Sequence, residues 1–243
     1  MSDLFIVRTL PRSGSHLLRG LLSAHPQVDC LGEIFNPLGP PDQQAHAQDL
    51  ENTAELFERL NDRAQEHATK VGFVCHSYVG YDHPVHPAGV HSWEKKWASL
   101  WQVAQETNVP IIRLYRSNAF LRYLSLMKAR HLNQWQLWKA DGVEPEHRSV
   151  SIDPIDLAAF LKDTETFVNE WHLATPAAID IDFDDLVAQP SETANAVFQM
   201  LGVPPLEVKP ATLRTSRSPE IDCSNYDALK AEFAGTRFEK FFT

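Results

Sequence analysis

The chain has 243 residues, 43% of them hydrophobic, and a formal net charge of −10. It is long enough to bury one sizeable core, and too acidic for nucleic acid or an anionic membrane surface to be expected as a general partner. No apolar run approaches the ~20 residues of a membrane span and no basic-then-apolar leader precedes the first strand-like run, so a soluble, cytoplasmic protein with one domain over 1–243 is expected.

The first apolar run, LFIV (4–7), predicts a short buried strand, and Leu17, Leu18, Leu21 and Leu22 predict a helix ending near His25 and Pro26. A proline-rich loop (36–43) leads to a helical stretch over 50–68, with Leu50, Phe57, Leu60 and Ala64 at helical spacing, and then to a strand at VGFVC (71–75). After a loop rich in His, Pro and Gly, Ser92 is placed to cap a helix carrying Trp93, Trp97, Leu100, Trp101 and Ala104 on one side. VPIIRLY (109–115) predicts a strand, followed by a helix over 118–139. SVSI (149–152), a helix over 155–172, the alternating AIDIDF (178–183) and a helix over 191–201 closed by Gly202 continue the pattern. Strands alternating with helices imply an α/β domain with a mostly parallel sheet, whose ligands bind beyond the carboxyl ends of the strands. Cys30, Cys75 and Cys223 form no CxxC pair and read as core residues in a reducing compartment.

Charge is unevenly spread along this pattern. Residues 4–28, 107–140 and 208–219 hold 12 of the 22 lysines and arginines and none of the 32 acids. Three acid-free basic segments in an acidic chain imply that folding gathers them around an anion.

The first of them contains PRSGSH (11–16), at a junction from strand to helix. Free N–H groups and the positive end of the helix dipole make such a junction an anion site. Gly14 would let backbone approach closely, and Arg12, Ser13 and Ser15 add donors. The plainer reading is a turn in which Ser13 or Ser15 caps the helix. The nucleotide-triphosphate pattern GxxxxGK[ST] is not met. Arg116 stands at a second such junction, where the helix dipole disfavours a cation unless something compensates. Ser125 follows on the same helix, between Arg122 and Lys128. Those two fit equally an anion site or a solvated basic face.

PRSGSHLLRGLLSAHPQVDCLGEIFNP (11–37) resembles the 5′-phosphosulfate loop and following helix of sulfotransferases that use 3′-phosphoadenosine 5′-phosphosulfate (PAPS), in particular bacterial carbohydrate sulfotransferases. YRSNAFLRYLSLMKAR (115–130) is similar to that family's 3′-phosphate motif, and 181–204 and the C-terminal tail have counterparts there. The resemblance implies a P-loop-like fold and places Arg12, Ser13, Gly14, Ser15 and His16 on the phosphosulfate and Arg116 and Ser125 on the 3′-phosphate. The third basic segment, with Arg214 and Arg217, would close over the nucleotide, although the family's glycine-bearing closing loop is not evident in it. A sulfuryl group carries less negative charge than a phosphoryl group, so no metal is expected to be required. Glu33, in LGEIF, is the expected base for the acceptor hydroxyl, with His16 and His76 in reserve.

The loop 75–91 offers His76, Asp82, His83, His86 and His91, but not the spacing that fixes a metal geometry, and reads instead as an acceptor-side loop. Trp93, Trp97 and Trp101 read as core, and Trp135 and Trp138 as a packed face or a platform for a sugar ring. Asp180 and Asp182 alternate away from their apolar neighbours. The expected activity is transfer of a sulfuryl group from PAPS to a hydroxyl of a small-molecule or carbohydrate acceptor. An ATP-dependent kinase and a nucleotide-binding module without turnover are the alternatives. Loops 36–49, 76–91 and 140–150 would form the acceptor pocket, and neither the acceptor nor the oligomeric state is legible.

Overall fold

The computed structural model describes residues 3–34, 52–67, 69–76, 91–135, 137–174, 178–213 and 215–242, with side chains left undescribed at 91–98 and 166–174. Five parallel strands form one sheet: β1 (Leu4–Thr9), β2 (Val28–Leu31), β3 (Lys70–His76), β4 (Ile111–Tyr115) and β5 (Ile179–Asp182), in the order β2-β3-β1-β4-β5. Register pairs Thr9 with His76 across β1 and β3, and Tyr115 with Asp182 across β4 and β5. The carboxyl ends of all these strands therefore lie along one edge. β1 is central and fully buried, as its continuous apolar run requires in a parallel sheet covered on both faces.

Alternation along β1 feeds two cores. Phe5 and Val7 pack with Leu18, Leu21 and Leu22 of α1 (Ser15–Leu22) and with the apolar stripe of a helix at Pro190–Leu201. Leu4 and Ile6 pack on the other face with Leu56, Phe57 and Leu60 of α2 (Thr53–His67) and Leu100 and Ala104 of α3 (His91–Glu106). A third cluster joins α4 (Ala119–Leu132) and α5 (Pro154–Ala174) to the C-terminal segment, including Tyr226, Phe233 and Phe242. After β5 the chain turns directly into α6 (Phe183–Ala188) and α7 (Pro190–Leu201), and α8 (Pro219–Asp222) and α9 (Tyr226–Phe233) follow. Gly202 ends α7 at φ 76°, as its sequence position predicts. Among the described residues, no helix is long and apolar enough to cross a membrane.

Several boundaries differ from the sequence reading. β2 was not predicted: VDCL is short, and Asp29 interrupts its apolar run. It persists because residues 28–31 pair in register with β3 while Cys30 packs inward. Ser92 lies inside α3, one residue past its start, and so does not cap it. α4 stops at Leu132 and not near 139, because Asn133 takes a left-handed conformation and caps it. Among the described residues SVSI forms a single parallel bridge, Val150 with Cys223. The three cysteines are free and buried, and burial pushes the Cys30 thiol up to about 12, leaving it an unreactive core group.

Candidate active site

The turn after β1 is built on two left-handed residues, Arg12 (φ 68°) and Gly14 (φ 94°). Gly14 is the N-cap of α1, and the helix start receives no side-chain cap from the described residues. The serine-capped turn is thereby excluded: Ser13 and Ser15 are buried beside the helix start without capping it. Ser13 Oγ is fully buried with no hydrogen-bond partner among the described residues. A polar group left so is costly unless something else satisfies it. Gly14 is needed for a reason beyond its φ. A Cβ there would stand 2.6 Å from the ring of Phe183, the first residue of α6, so the close approach expected toward an anion is made in this structure to an aromatic ring.

The same ring carries the second junction. The Arg116 guanidinium lies 4.4 Å over Phe183 and donates to the Leu121 carbonyl at 3.2 Å, which answers how a cation is tolerated just before α4. Asn118 caps that helix, accepting from the Leu121 N–H. The two junctions also touch directly. Arg12 Nε donates to Ser125 Oγ at 3.1 Å, and Arg12 Nη1 donates to the Trp135 carbonyl at 2.6 Å. Arg12 and Ser125 are 113 residues apart in the chain. The third basic segment reaches the same place, because Thr215 and Ser216 line a small cleft together with Arg12, Ser125, Lys128 and Gln134. Arg217 is tied to Asp222, through its own N–H at 2.8 Å and its guanidinium at 3.4 Å. Arg214 lies outside the described residues.

Arg122 and Lys128 are not the solvated face that one sequence reading allowed. Arg122 is buried over the Phe160 ring and donates to Thr164 Oγ1 at 2.6 Å. Lys128 is buried against Asp222.

β2 brings Glu33 into this region, two residues past its end. Gly32 fixes the approach, its carbonyl accepting from the Val74 N–H at 3.1 Å. Glu33 Oε1 then lies 3.2 Å from His76 Nε2, at the end of β3, and 3.5 Å from His16 Nε2, in the first turn of α1. Burial pushes the His16 imidazole down to about 4, against the upward pull of Glu33 and with a further lowering by His76 and Arg12. Burial lowers His76 as well, again opposed by Glu33. Two neutral imidazoles therefore flank one carboxylate at neutral pH. Burial also lowers the Arg12 guanidinium, and Glu33 partly restores it.

Asp180 forms a two-pronged ion pair with the buried Arg113 (2.5 and 2.7 Å), and Asp182 accepts from Ser117 and caps α6. Both carboxylates thus serve the sheet and its connections. Trp138 packs against Gly20 of α1 and edge-on to His16, whereas Trp135 is 46% exposed. Trp101 lies against Arg8, and the side chains of Trp93 and Trp97 fall outside the described set. Most of the histidine-rich loop also lies outside the described residues, among which no group of His, Cys, Asp and Glu forms a metal site.

A strand-to-helix turn whose helix start has no side-chain cap among the described residues, crossed by two remote basic segments and a carboxylate, is chemically suited to an anionic group. Residues 4–105 match the model of the Sulfotransferase family. Over almost its whole length the chain is similar to nodulation protein H of Rhizobium tropici, 28% identical over 98% of this chain and 92% of that one. It is also similar to nodulation protein H of Rhizobium meliloti strain 1021, at 24% identity over 98% and 94%. A sulfotransferase of known structure from Alicyclobacillus acidocaldarius aligns over 96% of this chain and 92% of its own, at 15% identity and a TM-score of 0.49.

Proposed function

We propose that the protein transfers the sulfuryl group of PAPS to a hydroxyl of a carbohydrate acceptor. The observation that carries this reading is the Arg12–Ser125 hydrogen bond, which joins the turn after β1 to the helix after β4. A donor with anionic groups at both ends of a nucleotide needs two such basic stations within one molecule's length. In this reading Arg12, the α1 N-terminus and the hydroxyls of Ser13 and Ser15 hold the phosphosulfate, Arg116 and Ser125 hold the 3′-phosphate, and the segment bearing Arg214 and Arg217 closes over the nucleotide. The acceptor class follows the resemblance of residues 11–37 to bacterial carbohydrate sulfotransferases.

The reaction is an in-line displacement at sulfur. The acceptor oxygen forms a bond to sulfur, the bond from sulfur to the bridging oxygen of the 5′-phosphate breaks, and adenosine 3′,5′-bisphosphate leaves. Negative charge grows on that bridging oxygen, and in this reading Arg12 and the N–H groups of the first turn of α1 stabilise it. Glu33 takes the hydroxyl proton. His16 and His76, both neutral, hold the carboxylate rather than serve as the base themselves.

The test is transfer of ³⁵S from labelled PAPS to a panel of sugar, lipid and phenolic hydroxyls. Sugar labelling by the wild type is expected, and Glu33→Gln should lower kcat by about 10³-fold or more, above the 10²–10⁴ typical range's lower half for a lost acid–base group, while product-nucleotide affinity stays unchanged. Label transfer undiminished in Glu33→Gln would remove Glu33 from the chemistry.

A further inference from the structure

One buried carboxylate organises the Ser125 side of the cleft. Lys128 stands one turn beyond Ser125 on α4 and lines the cleft with Arg12, Ser125 and Thr215. Its ammonium is 2.7 Å from Asp222 Oδ2 and donates to the Thr215 carbonyl at 3.1 Å. The side chains of Lys128 and Asp222 are only 6% and 1% exposed. Asp222 also accepts from the Arg217 N–H and pairs with its guanidinium. A single carboxylate thus faces two cations, so the group presents a net positive charge. The other acid of the cleft, Glu146, is paired with Arg148.

A buried ion pair is poor evidence of a stability function, because desolvation consumes most of its Coulombic gain. Its place in the site offers a better account. Arg12 lies between two ends of the site: within electrostatic reach of Glu33 on one side and hydrogen-bonded to Ser125 on the other. The transferring group has to meet Glu33, so the donor's second anionic group belongs on the side of Ser125 and Lys128. We propose that Lys128 is a ligand of the donor's 3′-phosphate, and that Asp222 is the positioning residue that holds Lys128 and the 215–217 segment against the cleft. This rests on the donor reading given above. An ammonium has three protons; Asp222 and Thr215 take two, and the third is directed to the phosphate.

Calorimetric titration at fixed ionic strength with two probes, adenosine 3′,5′-bisphosphate and adenosine 5′-monophosphate, tests the inference. The wild type is expected to bind the bisphosphate more tightly. Lys128→Met should weaken the bisphosphate by about 10- to 100-fold, the range of a lost charge-assisted contact, and leave the monophosphate within about threefold. Because Lys128→Met leaves the buried Asp222 with Arg217 as its one cationic partner among the described residues, Lys128→Met/Asp222→Leu is the second variant: it removes both charges and should show the same selective loss. If both variants keep the wild-type preference, or lose affinity for both probes equally, Lys128 is not a phosphate ligand and the donor reading stands. No bisphosphate preference in the wild type itself overturns the donor reading.

Discussion

His16 stays neutral beside a carboxylate because burial outweighs the attraction of Glu33, and this has a measurable consequence. Its folded-state pKa of about 4 lies below the ordinary value of 6.5, so between these pH values the unfolded chain binds a proton that the folded chain refuses. Stability is then full above pH 6.5 and falls as the pH drops toward 4, by about 1–3 kcal/mol for this one group. Urea unfolding across that window should show a shallower pH slope for His16→Gln than for the wild type; identical slopes would mean that the partial burial of the imidazole does not lower its pKa. At Gly14 the constraint is steric. Alanine meets both a left-handed φ and the Phe183 ring at 2.6 Å, so Gly14→Ala should cost about 1–3 kcal/mol in thermal unfolding and weaken nucleotide binding by shifting the turn.

Among the elements, α4 separates basic residues that hold the fold from those assigned to the ligand. Arg122 is buried between the Phe160 ring and Thr164, so Arg122→Ala should destabilise by about 2–4 kcal/mol through lost packing and hydrogen bonding. The folded fraction should keep its affinity for adenosine 3′,5′-bisphosphate. Arg116→Ala should do the reverse, lowering that affinity about 10- to 100-fold with a smaller loss of stability; a calorimetric titration beside a melting curve separates the two. Sequence spacing put Arg122, Ser125 and Lys128 on adjoining faces of one helix. It could not tell burial from exposure, because the partners Thr164 and Asp222 lie far along the chain. β2 illustrates the opposite limit. Four residues with one acid among them carry too little periodicity to announce a strand, yet pairing with β3 forms it, and it is what delivers Glu33 to His76.

Taken as a whole, the parallel α/β architecture was legible because its long apolar runs and helical stripes are local signals. The convergence of three basic segments was legible only as a charge imbalance. Its geometry depends on the strand order, which sets β1 next to β4 and so brings Arg12 to Ser125. What sequence spacing left hidden are the contacts made by single residues from distant elements: Phe183 between Gly14 and Arg116, and Asp222 beneath Lys128. The most direct measurement is a crystal structure of the protein with adenosine 3′,5′-bisphosphate. The 5′-phosphate should lie on the α1 N-terminus beside Arg12, and the 3′-phosphate within hydrogen-bond distance of Arg116 and Ser125. A nucleotide bound away from the turn after β1, or with both phosphates on one basic segment, would contradict the account.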